Sequence, residues 1–191
     1  TAYRRQRQMC IRDSYQTVYA NKRLQQSVAA PTAGLHFDLP MLHELEKIGL
    51  KIRYLSLHVG AGTYTPVTSE DITKHKMHAE EVVVDKELVQ EILAVKQQSG
   101  KVFAVGTTTL RALEATFLDS RPEFKGSTDL FIYPGFQFKV VDYLLTNFHQ
   151  PKSSLLMLVA AFIGLENLQK IYAEAIETVS YTHLRAHETS L

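Results

Sequence analysis

The 191-residue sequence contains a single cysteine, Cys10, and no tryptophan. One thiol excludes a disulfide framework within the chain. Cys10 also lies in an N-terminal segment that differs in character from the rest. The remainder of the chain therefore has no cysteine nucleophile and no thiolate metal site.

Long apolar runs are also missing. The clearest one, residues 155–163, is far shorter than the ~20 residues of a membrane-spanning helix, and the basic N-terminus lacks the apolar region of a signal peptide. The composition, 45% hydrophobic and 21% charged, is typical of a soluble globular domain. We therefore expect a cytoplasmic protein without a membrane partner.

Two terminal segments show neither helical nor strand periodicity: residues 2–14 (AYRRQRQMCIRDS) and 179–191 (VSYTHLRAHETSL). They resemble translated adapter sequence, so we predict artefactual tails at 1–14 and 179–191 around a core of residues 15–178. Without the tails' five arginines and two acidic residues, 21 basic and 20 acidic residues become 16 and 18, so the core carries a net charge of −2 rather than +1. A genuine N-terminal tail would instead be a disordered basic arm for nucleic acid.

Residues 101–117 (KVFAVGTTTLRALEATF) predict a strand, a tight turn and a helix. The apolar run before Gly106 is typical of a buried strand, and the residues after it are apolar at helical spacing. Hydroxyl groups of Thr107, Thr108 and Thr109, with Arg111 one turn further on, would hold a carboxylate or phosphate at the helix N-terminus. A threonine that simply caps the helix explains the same pattern.

Two segments rich in small residues are candidates for ligand-facing loops. In residues 27–37, Pro31 disfavours a continuous helix and Gly34 allows close backbone approach, although tight packing would explain both. Gly60 and Gly62 end an alternating strand pattern at 51–59. A break after a strand is where α/β sheets bind ligands.

The densest polar cluster is residues 75–81, HKMHAEE. His75 and His78 have a spacing that could bind a metal, but without cysteines or a clear helix we expect no metal. The alternatives are a solvated loop and a catalytic or ligand-positioning role, in which Glu80 would fix the tautomer of a histidine.

The order of predicted elements is that of an α/β domain without internal repeats. The predicted strands are 51–59, 82–84, 102–105, 129–133 and 139–147, and the predicted helices are 39–48 with Asp38 as its cap, 85–98 with Asp85 as its cap, 107–117, 154–163 and 166–178. Strand, helix and strand in succession predict right-handed crossovers between parallel strands. The predicted fold class is therefore α/β, with a mostly parallel sheet or partial barrel and flanking helices.

Six motifs follow one another along the chain: SVAAPTAGLHF from Ser27, LHVGAGTY from Leu57, HKMHAE from His75, VGTTTLRALE from Val105, TDLFIYPGF from Thr128 and TNFHQPKSSLLMLVAAF from Thr146. Together they resemble the S-adenosylmethionine:tRNA ribosyltransferase-isomerase family of queuosine biosynthesis, over nearly all of residues 15–178. An ordered set of six is far more specific than any single motif.

The resemblance implies a transferase that moves the ribosyl group of S-adenosylmethionine to an aminomethyl-deazaguanine at the tRNA wobble position. It implies epoxyqueuosine as product, with adenine and methionine released. S-adenosylmethionine is then the co-substrate, no metal is needed, the partner is tRNA carrying the precursor base, and we expect a monomer. Family members have a large α/β domain with a small β-barrel domain inserted, so this chain would be the C-terminal part of the large domain, without the barrel.

The resemblance also suggests roles for individual residues. The candidate proton-transfer groups are His58, His75, His78 and His149, with Glu80 as a partner. The candidate substrate-binding residues are Pro31, Gly34, Gly60, Gly62, Thr107, Thr108, Arg111 and Lys152. Arg111 and the threonines would hold the methionine carboxylate or an RNA phosphate, and Lys152 would pair with a phosphate. Each histidine could equally be a structural hydrogen bonder, and the net charge of −2 favours a local rather than a broad RNA contact.

Two other functions fit part of the pattern. A phosphosugar or nucleotide-binding α/β enzyme would use the Gly106 turn for phosphate, but it would not need the motifs at Gly60, His75 and His149. An inactive fragment that only binds ligand would keep every motif. Binding and turnover measurements are needed to separate that fragment from an enzyme.

Overall fold

The computed structural model describes residues 16–20, 30–58, 72, 77–118 and 122–178. The helices in this part are α1 (Leu39–Lys47), α2 (Lys86–Gln97), α3 (Thr107–Leu118), α4 (Ser154–Ile163) and α5 (Leu165–Glu177), with a 3-10 turn at Thr32–His36. The strands are β1 (Ser56–His58), β2 (Glu80–Val84), β3 (Phe103–Val105), β4 (Phe124–Thr128) and β5 (Tyr143–Leu145).

Local capping residues define the helix ends. The Asp38 carboxylate accepts a hydrogen bond from the Met41 amide at 2.8 Å, and Gly49 adopts φ +93° just after α1. Ser153 accepts from the Leu156 amide at 3.1 Å, and Gly164 adopts φ +83° after α4. Each pair is a side-chain N-cap and a glycine stop with positive φ. The Asp38 cap was predicted from the sequence, whereas the Ser153 cap was not. Asp85 precedes α2 but makes no side-chain capping bond, contrary to the prediction.

The strands form two small sheets of different character. β1, β2 and β4 form an antiparallel sheet in that order, with Leu57 opposite Val82 and Val82 opposite Gly126. β3 and β5 form a parallel pair in which Ala104 lies opposite Leu144. The α/β class is confirmed, with parallel pairing where the Gly106 strand meets the later strand.

The predicted pairing of the strand at 82–84 was wrong, because β2 pairs antiparallel with β1 and β4 rather than parallel with β3. β4 (FKGST) was not predicted, since only Phe124 and Thr128 are buried and the apolar pattern of such an edge strand is sparse. Residues 129–133, predicted as a strand, belong to no strand. Their apolar character reflects packing instead, since Ile132 is 1% exposed in the core.

The core lies around α3, which packs against both sheets. Leu110, Ala112 and Leu113 are buried together with Val82 of β2 and Ala104 of β3. Every residue from 110 to 116 of this helix is buried. A helix that is covered on all sides is a central element rather than a surface one.

Glu114, on α3, explains why β5 is shorter than the strand predicted at 139–147. Its carboxylate, fully buried, accepts hydrogen bonds from the backbone amides of Lys139, Val140 and Val141 at 2.7, 3.1 and 3.0 Å. These amides are therefore satisfied by a side chain and are unavailable to a strand ladder. The ladder begins only at Tyr143.

Within the described residues, no single helix is long and apolar enough to cross a membrane. α4 and α5 pass that test only when taken together, and the chain bends by 114° between them.

Candidate functional site

Two loops meet where the parallel strands β3 and β5 end. Gly106 follows β3 directly with φ +94°, a left-handed conformation that favours glycine, and its amide donates to the Leu145 carbonyl at 2.8 Å. Because parallel strands end at the same edge, the loops after them lie side by side. In α/β sheets this edge is where ligands bind.

The 3-10 turn Thr32–His36 docks on the same edge. The Thr32 hydroxyl donates to Asn147 Oδ1 at 2.9 Å, and Asn147 Nδ2 lies 3.3 Å from His36 Nε2. Ala33 packs near Gly106, since a Cβ added to that glycine would lie 4.0 Å from the Ala33 Cβ. The first, fourth and last of the six motifs therefore meet at one place.

His149 lies in the loop that follows β5. Its Nε2 is 3.0 Å from the Thr146 hydroxyl, its amide donates to the Tyr172 hydroxyl at 2.7 Å, and that hydroxyl donates to the His149 carbonyl at 3.0 Å. Burial lowers the pKa of His149 to about 4. The imidazole is therefore neutral at pH 7, and it can exchange hydrogen bonds with a ligand without carrying charge.

The start of α3 presents hydroxyl groups beside Gly106. Thr107 is buried, while Thr108 and Thr109 are half-buried. A side chain at Gly106 would point toward the hydroxyls of Thr108 and Thr109, at 3.7 and 3.9 Å from its Cβ. A helix N-terminus with neighbouring hydroxyl groups is a typical binding position for a ligand oxygen.

Arg111 lies inside the fold, one turn beyond the first residues of α3. Its guanidinium pairs with the Glu80 carboxylate of β2, and both side chains are almost completely buried. Burial lowers the pKa of Arg111 to about 10, so the group remains charged at neutral pH. The pair links α3 to the antiparallel sheet, and a ligand would have to compete with Glu80 for this charge.

The structure places the two members of the predicted His78–Glu80 pair in different environments. Glu80 is 1% exposed against Arg111, whereas His78 is exposed ahead of β2. His58 pairs with Glu81 in the sheet register and so lies on the face opposite Glu80. Its Nδ1 is buried and finds no hydrogen-bond partner among the described residues.

The remaining predicted site residues are packed inside the fold, exposed at its surface, or outside the described residues. A side chain at Gly34 would collide with Tyr19 and Thr17, so this glycine is required by tight packing. Pro31 is exposed just before the 3-10 turn, and Lys152 is exposed with φ +61° in the loop after His149. Gly60, Gly62 and His75 lie outside the described residues.

Four polar residues of this edge were not predicted as site residues: Thr32, His36, Thr146 and Asn147. All four lie inside quoted motifs, and polar residues directly after an apolar strand are a signal that could have found Thr146 and Asn147. Tyr172 has no such signal, because an amphipathic helix contains many half-buried aromatic residues. In the part of the chain with described coordinates, no three His, Cys, Asp or Glu side chains are grouped as metal ligands.

Polar loops gathered at the carboxyl ends of parallel strands are typical of α/β proteins that bind ligands at this edge. The family model described as queuosine biosynthesis protein matches residues 2–184, and the chain belongs to this family. The predicted family is thereby confirmed. The match includes residues 2–14, so the boundaries of the tails stay a prediction.

Relatives named S-adenosylmethionine:tRNA ribosyltransferase-isomerase include one from Aromatoleum aromaticum, 55% identical over 163 residues, which cover 85% of this chain and 47% of the relative. Another, from Buchnera aphidicola subsp. Schizaphis graminum, is 50% identical over 167 residues, which cover 85% of this chain and 46% of the relative. The crystal structure of S-adenosylmethionine tRNA ribosyltransferase from Thermotoga maritima is similar with a TM-score of 0.63 and 41% identity, covering 76% of this chain and 46% of that one. The chain thus spans about half the length of the relatives it matches.

Proposed function

We propose that the chain is part of a tRNA-modifying transferase of queuosine biosynthesis. In this proposal the ribosyl group of S-adenosylmethionine is transferred to the aminomethyl-deazaguanine at the tRNA wobble position, giving epoxyqueuosine and releasing adenine and methionine. The names of relatives at 50–55% identity support this assignment. S-adenosylmethionine is the co-substrate and tRNA the partner.

The observation that carries the proposal is the meeting of three motifs at one sheet edge. The Thr32–His36 turn, the Gly106 turn and the loop after β5 are distant in sequence but joined by the Asn147 and Leu145 contacts. Each contributes polar groups to that edge. A nucleoside with an amino-acid tail needs several separated polar contacts of this kind, whereas a plain phosphate site needs only one turn.

The Thr108 end of α3 is the proposed site for the methionine carboxylate. Unpaired helix amides, hydroxyl groups and the positive end of the helix dipole all favour an anion there. The ligand role of Arg111 stays a prediction, because its charge already faces Glu80. Lys152, exposed beside the site, is the proposed contact for an RNA phosphate.

His149 is proposed to orient the substrate rather than to donate its proton. With the pKa held near 4, the imidazolium is scarce at neutral pH, and a general acid works best when its pKa lies near the working pH. The proton for departing adenine would then come from another group. His58, His75 and His78 remain predictions for proton transfer.

The test measures S-adenosylmethionine binding by calorimetry and adenine release in the presence of precursor tRNA. Thr108→Val keeps the side-chain shape but removes the hydroxyl, so we expect affinity to fall by about 10-fold if a charge-assisted hydrogen bond is lost. Thr116→Val is the matched control, since Thr116 lies in the same helix and its hydroxyl donates to the Ala112 carbonyl instead. The affinity of Thr116→Val for S-adenosylmethionine should equal that of the parent.

Three outcomes distinguish the alternatives. Binding with adenine release supports the transferase, and binding without release supports a ligand-binding fragment. Absence of S-adenosylmethionine binding by the folded chain, together with binding of a ribose phosphate, would favour the phosphosugar or nucleotide enzyme and contradict the proposal.

A further inference from the structure

Asn147 joins two other polar side chains at the sheet edge. Its Oδ1 accepts the Thr32 hydroxyl at 2.9 Å, while its Nδ2 lies 3.3 Å from His36 Nε2. Asn147 lies 115 positions after Thr32 and 111 positions after His36 in the sequence. The contact is therefore a feature of the fold and not of local chain geometry.

The chemistry of an amide fixes the direction of both bonds. A carboxamide oxygen only accepts and its nitrogen only donates. The Thr32 hydroxyl donates to the oxygen, so the nitrogen faces His36, and His36 Nε2 must accept. A neutral imidazole carries one proton, so the proton of His36 must be on Nδ1.

His36 is exposed at the last position of the 3-10 turn, at the edge where the Gly106 and Asn147 loops meet. Because the residue is exposed, an N–H group at Nδ1 is a donor available to a ligand. We propose that Asn147 and Thr32 hold His36 in the Nδ1–H tautomer so that it donates a hydrogen bond to an acceptor atom of a bound nucleoside. This inference rests on the proposed function for its ligand, while the tautomer rests on the protein alone.

The tautomer can be measured without any ligand, by nitrogen-15 NMR of the imidazole rings at a pH where they are neutral. His36 is assigned from the signals lost in His36→Gln. We expect the Nδ1–H form to predominate at His36, whereas an exposed histidine in water favours Nε2–H. His43, exposed on α1, is the internal reference for that behaviour. A predominant Nε2–H form at His36 would overturn the proposal.

The variant Asn147→Asp should reverse the tautomer of His36. A carboxylate has nearly the same shape as the amide and still accepts from Thr32, but it cannot donate to His36. We expect the neutral His36 ring to switch to Nε2–H in this variant while His43 stays unchanged. If His36 keeps the same tautomer in both proteins, Asn147 does not control it and the proposal is wrong.

The ligand is tested by adding S-adenosylmethionine to the nitrogen-15 labelled chain. Donation to the ligand should shift the His36 Nδ1 signal, with no shift at His43. Binding seen by calorimetry without any change at His36 would overturn the assignment of the ligand contact. Failure to bind at all would contradict the proposed function and its ligand, while the tautomer measurement would still decide the role of Asn147.

Discussion

The buried carboxylate of Glu114 accepts hydrogen bonds from three backbone amides. Replacing one of its two oxygen atoms should therefore destabilise the fold. Glu114→Gln keeps the size but replaces one acceptor oxygen by an NH2 group that faces backbone N–H groups. Hydrogen bonds to a charged group contribute about 1.5–3 kcal/mol each, so we expect a loss of at least 2 kcal/mol in the free energy of unfolding, measured with urea.

The matched control for this substitution is Glu44→Gln. Glu44 pairs with Lys47 at 2.7 Å on the exposed surface of α1. Exposed pairs contribute about 0–1 kcal/mol, so the control should unfold almost like the parent. Equal effects of the two substitutions would show that the Glu114 contacts do not stabilise the fold.

His149 gives the stability a pH dependence whose sign follows from burial. Its pKa is lowered to about 4 in the folded chain, against about 6.5 in an unfolded chain. As the pH falls below about 6.5, the unfolded chain takes up a proton that the folded chain does not, so stability falls until about pH 4. The full shift corresponds to about 3 kcal/mol.

His149→Gln removes this titration, so between pH 7 and pH 5 the variant should lose less free energy of unfolding than the parent. His43→Gln makes the same substitution at an exposed histidine of α1 and is the control for the change of residue itself. Parallel curves for the parent and His149→Gln would show that the buried imidazole does not titrate as proposed.

At the level of elements, α5 fixes the loop that carries His149. Tyr172 of α5 donates to and accepts from the backbone of His149, and its ring packs edge-on against Phe148 at 5.2 Å. Tyr172→Phe keeps the ring but removes both hydrogen bonds. We expect a loss of about 1–2 kcal/mol in stability and faster hydrogen exchange at the His149 amide.

Tyr143→Phe is the control for Tyr172→Phe, because Tyr143 is exposed on β5. It should leave both the stability and the His149 exchange rate unchanged. An unchanged exchange rate in Tyr172→Phe would mean that α5 does not restrain the loop.

The helices could be predicted from sequence because their signals are local. Asp38, Gly49, Ser153 and Gly164 lie within a few residues of the ends they define. Strand pairing has no such signal. Lys139, Val140 and Val141 look like strand residues, and only the distant Glu114 determines that their amides bond elsewhere.

The candidate site was predictable to a similar extent. Gly106 was predicted as the tight turn after an apolar strand, His149 was a proton-transfer candidate suggested by the family resemblance, and both lie at the sheet edge. The roles of His36 and Thr32 could not be predicted from the sequence, because their contacts with Asn147 span 111 and 115 positions. Arg111 looked like a ligand group because nothing local reveals that Glu80, 31 positions earlier, faces it inside the core.

For the molecule as a whole, α3 is the element that joins the two sheets. Arg111 ties it to β2 of the antiparallel sheet, and Glu114 ties it to the segment before β5 of the parallel pair. Its first residues lie at the candidate site. Changes in the first turn of α3 should therefore affect ligand binding as well as stability, whereas a change further along the helix, such as Thr116→Val, should affect stability alone. Binding data for α3 variants therefore require a stability measurement beside them.

Whether the predicted tails pack on the core affects the stability of the whole molecule. If residues 1–14 and 179–191 do not pack on the core, trimming the chain to 15–178 should leave the melting temperature unchanged or raise it. A segment that contributes 1 kcal/mol would shift the melting temperature by about 2–4 °C in a domain of this size. Calorimetric melting of both proteins can resolve such a shift.

The control is a deeper truncation, to residues 15–171, which removes Tyr172 and the buried Ala175 of α5. Because Tyr172 contacts the His149 loop and Ala175 is buried, we expect this protein to melt well below the 15–178 form. The family match across residues 2–184 gives the tails a competing interpretation as genuine family sequence. A drop of several degrees on trimming to 15–178 would favour that interpretation, because only a segment that packs on the folded core can stabilise it.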